Sequence, residues 1–307
     1  MKKTTAAILF ICCFSFSYAT HAQEKPPILR LDLKNPNNLE LSNFRTSDDA
    51  FQHADGEAPS RIGLSTLQAS GSAQFSEEGL KQLKEKLKVK KFIDVDLRQE
   101  SHGFLNNLPV SWYAEHDMAN LGKFLPEIEA DEAQRLANAI KVGNVIASIV
   151  KHVGIHDKET SFPITVKTSA TEGELTKSAQ VQYFRIPVTD HTKPTDFAID
   201  RFVQFVRNLP QGTWLHFHCE AGDGRTTSFM VMYDMLRNGK KVSLEDIVKR
   251  QWLLGGINLF QNPSVDSWKY PYTKDRAEFL KYFYRYIRTG TNETWGNWVK
   301  KINKESL

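Results

Sequence analysis

The chain has 307 residues, with 40 Lys and Arg against 36 Asp and Glu, a formal charge of +4, and 40% hydrophobic residues. So even a balance excludes a nucleic-acid surface spread over the whole molecule, and any basic binding face must be local. Beyond the N-terminus no run is apolar enough to span a membrane.

Lys2 and Lys3 precede the mostly apolar stretch from Ala6 to Phe16, which is short for a bilayer span, and Thr20-His21-Ala22 offers a cut before Gln23. Residues 1–22 therefore read as an export signal, favoured over a retained anchor or a lipoprotein cut at Cys12 or Cys13, and the protein as periplasmic or secreted. Processing removes two lysines and no acid, taking the formal charge from +4 to +2, and leaves Cys219 as the single cysteine. With no partner thiol, that cysteine is no internal disulfide, and its place in an oxidising compartment argues for a use. About 285 residues then suit one large domain, or one domain with an insertion.

Residues 23–40, with Pro26-Pro27 and Asn35-Pro36-Asn37-Asn38, read as a lead-in with little regular structure. Phe75 to Val89 reads as a helix capped by Ser76, with Leu80, Leu83 and Leu87 on one face. Lys91 to Leu97 reads as a strand. Asp131 to His152 reads as a helix striped by Leu136, Ile140, Val145 and Ile149. Phe162 to Lys167 alternates like a strand, and Thr171-Glu172-Gly173-Glu174 has capping-box spacing for a short helix. Tyr183 to Val188 reads as a strand, and Pro194-Thr195 opens a helix to Asn208 with Phe197, Phe202, Phe205 and Val206 inward. Ser243 caps a helix that stops at Gly255-Gly256. An aromatic helix from Lys274 to Arg288 closes the chain. Strand and helix alternate through the C-terminal half, which argues α/β with a partly parallel sheet.

The most informative stretch is His218-Cys219-Glu220-Ala221-Gly222-Asp223-Gly224-Arg225-Thr226-Thr227. Trp214 to Phe217 before it reads as a buried strand, and Thr226 to Asn238 after it as an apolar helix. Strand, glycine loop and helix start together make an anion cradle, with free N–H groups and the positive helix end aimed at the loop. That field, with Arg225, favours the thiolate of Cys219. Phosphate ester cleavage needs an anion cradle, a nucleophile, a proton for the leaving oxygen and a route to hydrolyse the intermediate. The loop 220–225 supplies donors, and the Arg225 fork matches two phosphate oxygens. Cys219 attacks phosphorus, Thr226 hydrogen-bonds the departing thiolate, and His218 orients the loop from beneath. Asp190, at a strand end beside His191, is the candidate general acid and later base.

His216 and His218, two apart on a strand, point the same way. No carboxylate cluster with ligand logic accompanies them in the sequence, so no metal or other cofactor is expected. No Gly-x-x-x-x-Gly-Lys-Ser/Thr loop is present either.

The Cys-(five residues)-Arg loop resembles the protein-tyrosine-phosphatase superfamily. Val95 to Gly103, Trp112-Tyr113, Ala119 to Lys123, Arg185-Ile186 with Thr189-Asp190-His191, His216 to Gly222, Arg225-Thr226-Thr227 and Asp266 to Lys269 resemble the bacterial cysteine phytases, the tyrosine-phosphatase-like inositol polyphosphatases. That resemblance implies a phosphatase domain over 41–307 with a mixed, partly parallel central sheet flanked by helices. It also implies a small partial β-barrel insertion roughly within 104–180. It implies an inositol polyphosphate substrate, no metal, and substrate contacts at Arg45, Asp117, His152, His191, Lys269 and Arg276. Asp223 departs from the usual loop pattern. Turned inward it would repel a dianion, so it is expected to face outward. Two other readings stay open: a protein-tyrosine phosphatase or effector, and an inactive phosphate-binding module. Nothing in the sequence sets the oligomeric state.

Overall fold

The structure is a computed structural model that describes residues 26–33, 35–52, 56–89, 91–153 and 156–305. The export signal expected over 1–22 lies outside the described residues. In chain order the elements are β1 (Ile28–Leu31), β2 (Arg45–Thr46), β3 (Ala69–Ser72), α1 (Glu77–Leu87), β4 (Phe92–Arg98), β5 (His102–Leu105), β6 (Leu108–Tyr113), α2 (Leu125–Val142), β7 (Asn144–Val153), β8 (His156–Thr165) and β9 (Ser169–Ala170). They continue with α3 (Glu172–Ser178), β10 (Gln182–Val188), α4 (Asp196–Arg207), β11 (Trp214–His218), α5 (Gly224–Asn238), α6 (Leu244–Leu253), α7 (Tyr270–Thr289) and α8 (Trp295–Glu305). No described helix is long and apolar enough to cross a membrane.

The central sheet runs β10-β4-β11-β3-β2. Its first four strands are parallel and β2 is antiparallel to β3, which is the mixed, partly parallel sheet expected. Alternation along β4 and β11 splits this sheet into two unlike faces. Ile93, Val95, Leu97, Leu215 and Phe217 join the main core with Phe202 of α4, Phe229 and Met230 of α5 and Phe283 of α7. Asp94, Asp96 and Arg98, with His216 and His218, occupy the opposite register positions and are equally buried. That polar layer lies on the side where Phe92 and Trp214 pack against Leu80 and Leu83 of α1 and Leu175 of α3. Because all four strands are parallel, the C-terminal ends of β3, β4, β10 and β11 meet along one edge, the edge at which open α/β sheets bind ligands.

The second sheet runs β8-β7-β1-β6-β5-β9 and is backed by Leu136 and Ala139 of α2. It is an open sheet. Among the described residues its edge strands β8 and β9 do not pair with each other, so the partial barrel is not closed.

Four expectations need correction. Residues 28–31 are not irregular: β1 pairs antiparallel with β6 and parallel with β7, in the middle of the second sheet. A four-residue strand between proline and asparagine clusters is too brief to show a period, and long-range pairing makes it. The helix expected over 131–152 ends at Val142, where Gly143 adopts φ 75°, and Val145 and Ile149 lie on β7. Their neighbour Ala147 is fully buried while Ile146 is 69% exposed, an alternation of two that the helical stripe concealed. Phe197 is 69% exposed and does not point inward, whereas Phe202 and Val206 do. Finally α8, and not the aromatic α7, is the last helix. Trp295 and Trp298 of α8 pack onto Tyr286 and close the main core.

The placement of β1 is testable. Leu31 is 3% exposed in the core of the second sheet. Leu31→Ala should lower the urea-unfolding free energy by about 2–5 kcal/mol. A change below about 0.5 kcal/mol would return this segment to an irregular lead-in.

Candidate active site

Cys219 follows β11 and Gly224 opens α5, so the loop between them lies at the shared C-terminal edge of the parallel strands. Each of the first three loop carbonyls that follow Cys219 is held from outside. Glu220 O accepts from the Gln74 amide at 2.9 Å, Ala221 O from Asn43 Nδ2 at 2.7 Å, and Gly222 O from Arg45 Nη2 at 2.8 Å. A planar peptide directs N–H opposite to C=O, so carbonyls pulled outward turn their amides toward the hollow. Gly222 has φ 77°, and a Cβ there would meet Ser72 and Ala73 backbone atoms at 2.5 Å. No other residue allows the loop to press so closely on the end of β3.

Cys219 is 2% exposed, and Thr226 Oγ1 donates to its Sγ at 3.2 Å. Arg225 is clamped by Glu100: Nη1 donates to Oε2 at 2.6 Å and Nη2 to Oε1 at 3.0 Å. Nη1 also reaches Val188 O at 3.2 Å. Burial works to raise the Glu100 carboxyl, but Arg225 and Arg98 hold it well below the usual carboxylate range. The Arg225 Nε edge faces Asp190 Oδ1 at 3.1 Å, and Asp190 Oδ2 lies 3.1 Å from His191 Nε2. The candidate proton donor thus comes from a separate segment to join the nucleophile and anion fork of the loop in one site.

The other expected residues divide into three groups. Arg276 is 5% exposed and sits beside Gly224; burial lowers its pKa against the opposing fields of Asp190 and Cys219. Burial also lowers His191, which feels Lys269, Arg225 and Arg276 as neighbouring cations, and Lys269 itself is exposed. Asp117 is buried with Oδ2 4.0 Å from Arg225 Nη2; burial and then Glu100 push its carboxyl well up, toward a neutral form that does not repel an anion. Arg45, by contrast, lies behind the loop, 2% exposed, with Nη2 on Gly222 O and at 3.1 Å from Thr227 Oγ1. His152 lies on β7 opposite Asp157, and its side chain is outside what the structure describes. Asp223 turns toward the exposed Asn43, whose Nδ2 is 3.4 Å from Asp223 Oδ1.

His218 is fully buried beneath the loop, with Nε2 2.7 Å from Glu172 Oε1. Here the sequence reading needs correction, because carboxylates do gather around this histidine. Asp94, Glu172 and His218, and likewise Asp96, His102 and Glu172, bring ligand-type atoms within 4.8 Å of one another. These are the groups a metal would use. They are also ion-pair partners: burial and Glu172 push Asp94 well up toward the protonated form, while His218 and His102 hold Glu172 well below its ordinary value against burial. His102 is carried up to about 10 by Asp96 and Glu132, against burial. His216 does not join them, since its ring nitrogens each lie 3.0 Å from a serine hydroxyl, Ser70 and Ser72.

Sequence reasoning about chemistry missed Glu100, Asn43 and Gln74. Glu100 alone carried a signal, since it follows an Asp-Leu-Arg strand end within the stretch that resembles the phytases.

A family model described as PTP-like phytase, inositol hexakisphosphate, matches residues 95–237. The PTP-like phytase of Bdellovibrio bacteriovorus is 36% identical, covering 90% of this chain and 95% of that one, with TM-score 0.72. The PTP-like myo-inositol phosphatase of Mitsuokella multacida, solved in complex with myo-inositol-(1,3,4,5)-tetrakisphosphate, is 37% identical with TM-score 0.81 over 90% of this chain and 49% of that one. The effector protein hopD2 of Pseudomonas syringae pv. tomato is 30% identical over 277 residues, so the chain spans 88% of itself but 59% of that relative. The chain belongs to the PTP-like phytase family.

Glu220 gives the loop a pH dependence. Burial, then Asp32, raises its carboxyl from the ordinary 4.5 to about 7, with Arg98 opposing and Asp190 and Glu100 adding. A raised carboxyl pKa stabilises the fold fully below pH 4.5, and that contribution is lost as pH rises through about 7. The same ionisation adds a negative charge next to the anion cradle. KM for a phosphate ester should therefore rise roughly fivefold across neutrality, for about 1 kcal/mol of repulsion. Glu220→Gln should flatten that rise in KM–pH profiles, and an identical profile in the variant would exclude the assignment.

Proposed function

We propose that this chain is an exported phosphomonoesterase that removes phosphates from inositol polyphosphates, phytate among them, through a cysteinyl-phosphate at Cys219. The observation that carries the reading is the site itself: a buried sulfur, a loop whose carbonyls are pulled away from it, and a guanidinium locked by a carboxylate. The bound inositol tetrakisphosphate of the Mitsuokella relative supports the substrate class.

The chemistry follows from the residues. The loop amides and Arg225 hold the three non-bridging phosphate oxygens, and Cys219 Sγ attacks phosphorus as a thiolate. As the P–O bond breaks, Asp190 gives its proton to the leaving inositol oxygen. Water then attacks phosphorus, Asp190 takes a proton from it, and the S–P bond breaks with the Thr226 hydroxyl donating to the returning thiolate. Inorganic phosphate leaves and Asp190 is again protonated. Arg276 and Lys269 supply cationic edges, and His191 an imidazole edge, for phosphates that are not being cleaved. Asp117, whose carboxyl burial and Glu100 push well up, repels them less, and Arg45 acts by fixing the loop. His152 is assigned to the same rim on the resemblance alone.

Purified protein offered inositol hexakisphosphate and a phosphotyrosine peptide should release phosphate efficiently from the first only. Comparable release from the peptide would favour a tyrosine phosphatase, and binding of the inositol phosphate without release would favour an inactive module. Cys219→Ser should reduce kcat by about 10⁴-fold or more, and Arg225→Lys should remove most turnover. Asp190→Asn should cost about 10²–10⁴-fold in kcat with little change in binding. Near-normal turnover in any of the three would contradict the role given to that residue.

A further inference from the structure

We propose that Trp268 is a positioning residue: its indole clasps the two loops that carry Asp117 and Asp190 and so aims the proton donor at the leaving oxygen. The inference rests on the reading of Asp190 as general acid.

Three segments remote in sequence meet on this one side chain. The His116 ring stacks on the indole with centroids 3.7 Å apart and planes 25° from parallel. The His191 ring meets it edge-on at 4.8 Å and 86°. His116 precedes Asp117, and His191 follows Asp190. From the indole the contacts run to the reacting groups in two steps, His191 Nε2 to Asp190 Oδ2 at 3.1 Å and Asp190 Oδ1 to Arg225 Nε at 3.1 Å.

Both loops need such a hold. His116, Asp117 and His191 sit at φ 57°, 59° and 63°, in the left-handed region that non-glycine residues enter at a cost. His116 and His191 are only partly buried, with side chains 40% and 25% exposed, and neither belongs to a hydrophobic core. Trp268 is itself 39% exposed and belongs to none of the three hydrophobic cores. An indole at the surface that contributes nothing to the core, yet stacks on one loop and abuts another, is placed for alignment. Its ring meets Tyr272 at the start of α7 edge-on, with centroids 6.3 Å apart, and its backbone lies in the 267–270 turn, in which Tyr270 N donates to Ser267 O at 2.9 Å. The helix that brings Arg276 to the loop thereby brings the clasp as well.

The leaving group separates alignment of an acid from general structural damage. An inositol alkoxide departs poorly without a proton, whereas nitrophenolate departs without one. In the full chain, Trp268→Ala should lower kcat on inositol hexakisphosphate about a hundredfold, with KM little changed. It should leave the rate of the nitrophenolate burst from p-nitrophenyl phosphate, the step that needs no acid, within about threefold. Trp268→Phe, which keeps an aromatic face, should recover most of the loss. Adding Trp268→Ala to Asp190→Asn should cost little more than Asp190→Asn alone, because both remove the same proton transfer.

A nitrophenolate burst slowed as much as turnover of inositol hexakisphosphate would overturn the proposal in favour of a structural role. A rise confined to KM would overturn it in favour of an aromatic platform for the substrate. If the wild-type protein cleaves p-nitrophenyl phosphate but not inositol hexakisphosphate, the substrate reading fails separately. The clasp is then tested by the first-step burst rates of phenyl phosphate and p-nitrophenyl phosphate, where a selective loss on the poorer leaving group still supports it and a uniform loss rejects it.

Discussion

Everything at this site depends on the pairing of Arg225 with Glu100. A guanidinium with neither water nor partner is ruinous in a protein interior, and Arg225 is 2% exposed. Glu100 takes both of its terminal nitrogens and in turn accepts Arg98 Nε at 2.7 Å, while Arg98 Nη1 donates at 2.8 Å to Asp32 and to Gln74. The fork is therefore fixed in plane and direction before any ligand arrives, which is where a preorganised anion site gains its advantage over water. Removing one member of such a buried pair costs about 3–5 kcal/mol, since the other is left charged and unpaired. Gln74 closes the circuit, since its backbone amide also holds Glu220 O. The clamp on the arginine and the clamp on the loop are one structure.

The second sheet has its purpose in the same network. Glu132 of α2 accepts from Arg185 Nη1 at 2.9 Å and from the His102 amide at 3.0 Å. Glu172, the first residue of α3, faces His218 from below the loop and accepts from Gln74 Nε2 at 2.8 Å. Segments that enter and leave the second sheet thus supply charges to the polar face of β4 and β11. In a sheet with two apolar faces these residues would have no counterpart. Here the strand alternation puts Val95, Leu97 and Phe217 into the main core and Asp94, Asp96 and His218 into a buried ionic layer. The two halves are joined by charge as much as by apolar packing.

What the sequence made legible follows from distance along the chain. The loop 219–225, its flanking strand and helix, and the caps at Ser76, Thr171, Thr195 and Ser243 are local signals, and each hydroxyl cap accepts from a first-turn amide. The place of Asp190 beside the loop was readable because strand ends at one sheet edge converge. The errors are non-local. Residues 28–31 become a strand only through β6 and β7. Val145 and Ile149 fit a helical stripe and a strand equally, and Gly143 decides between them. Glu100 was given no role of its own, and its role exists only because a parallel sheet sets the ends of β4 and β11 side by side. Arg45 was expected at the substrate, and burial puts its guanidinium on the back of the loop instead. His216 and His218 looked like a lone pair, because Asp94 and Glu172 come to them from 124 and 46 residues away from His218.

The central claim is that the sulfur of Cys219 takes up the phosphoryl group. Asp190→Asn protein mixed with p-nitrophenyl phosphate should pass the first step, which needs no acid, and stall at the second, which needs a base. Rapid quenching should show a burst of about one nitrophenolate per active site, and mass analysis of the digested chain should find one phosphoryl group on the peptide containing Cys219. A phosphoryl group on another residue, or continued turnover with unmodified Cys219 and no burst, would contradict the account.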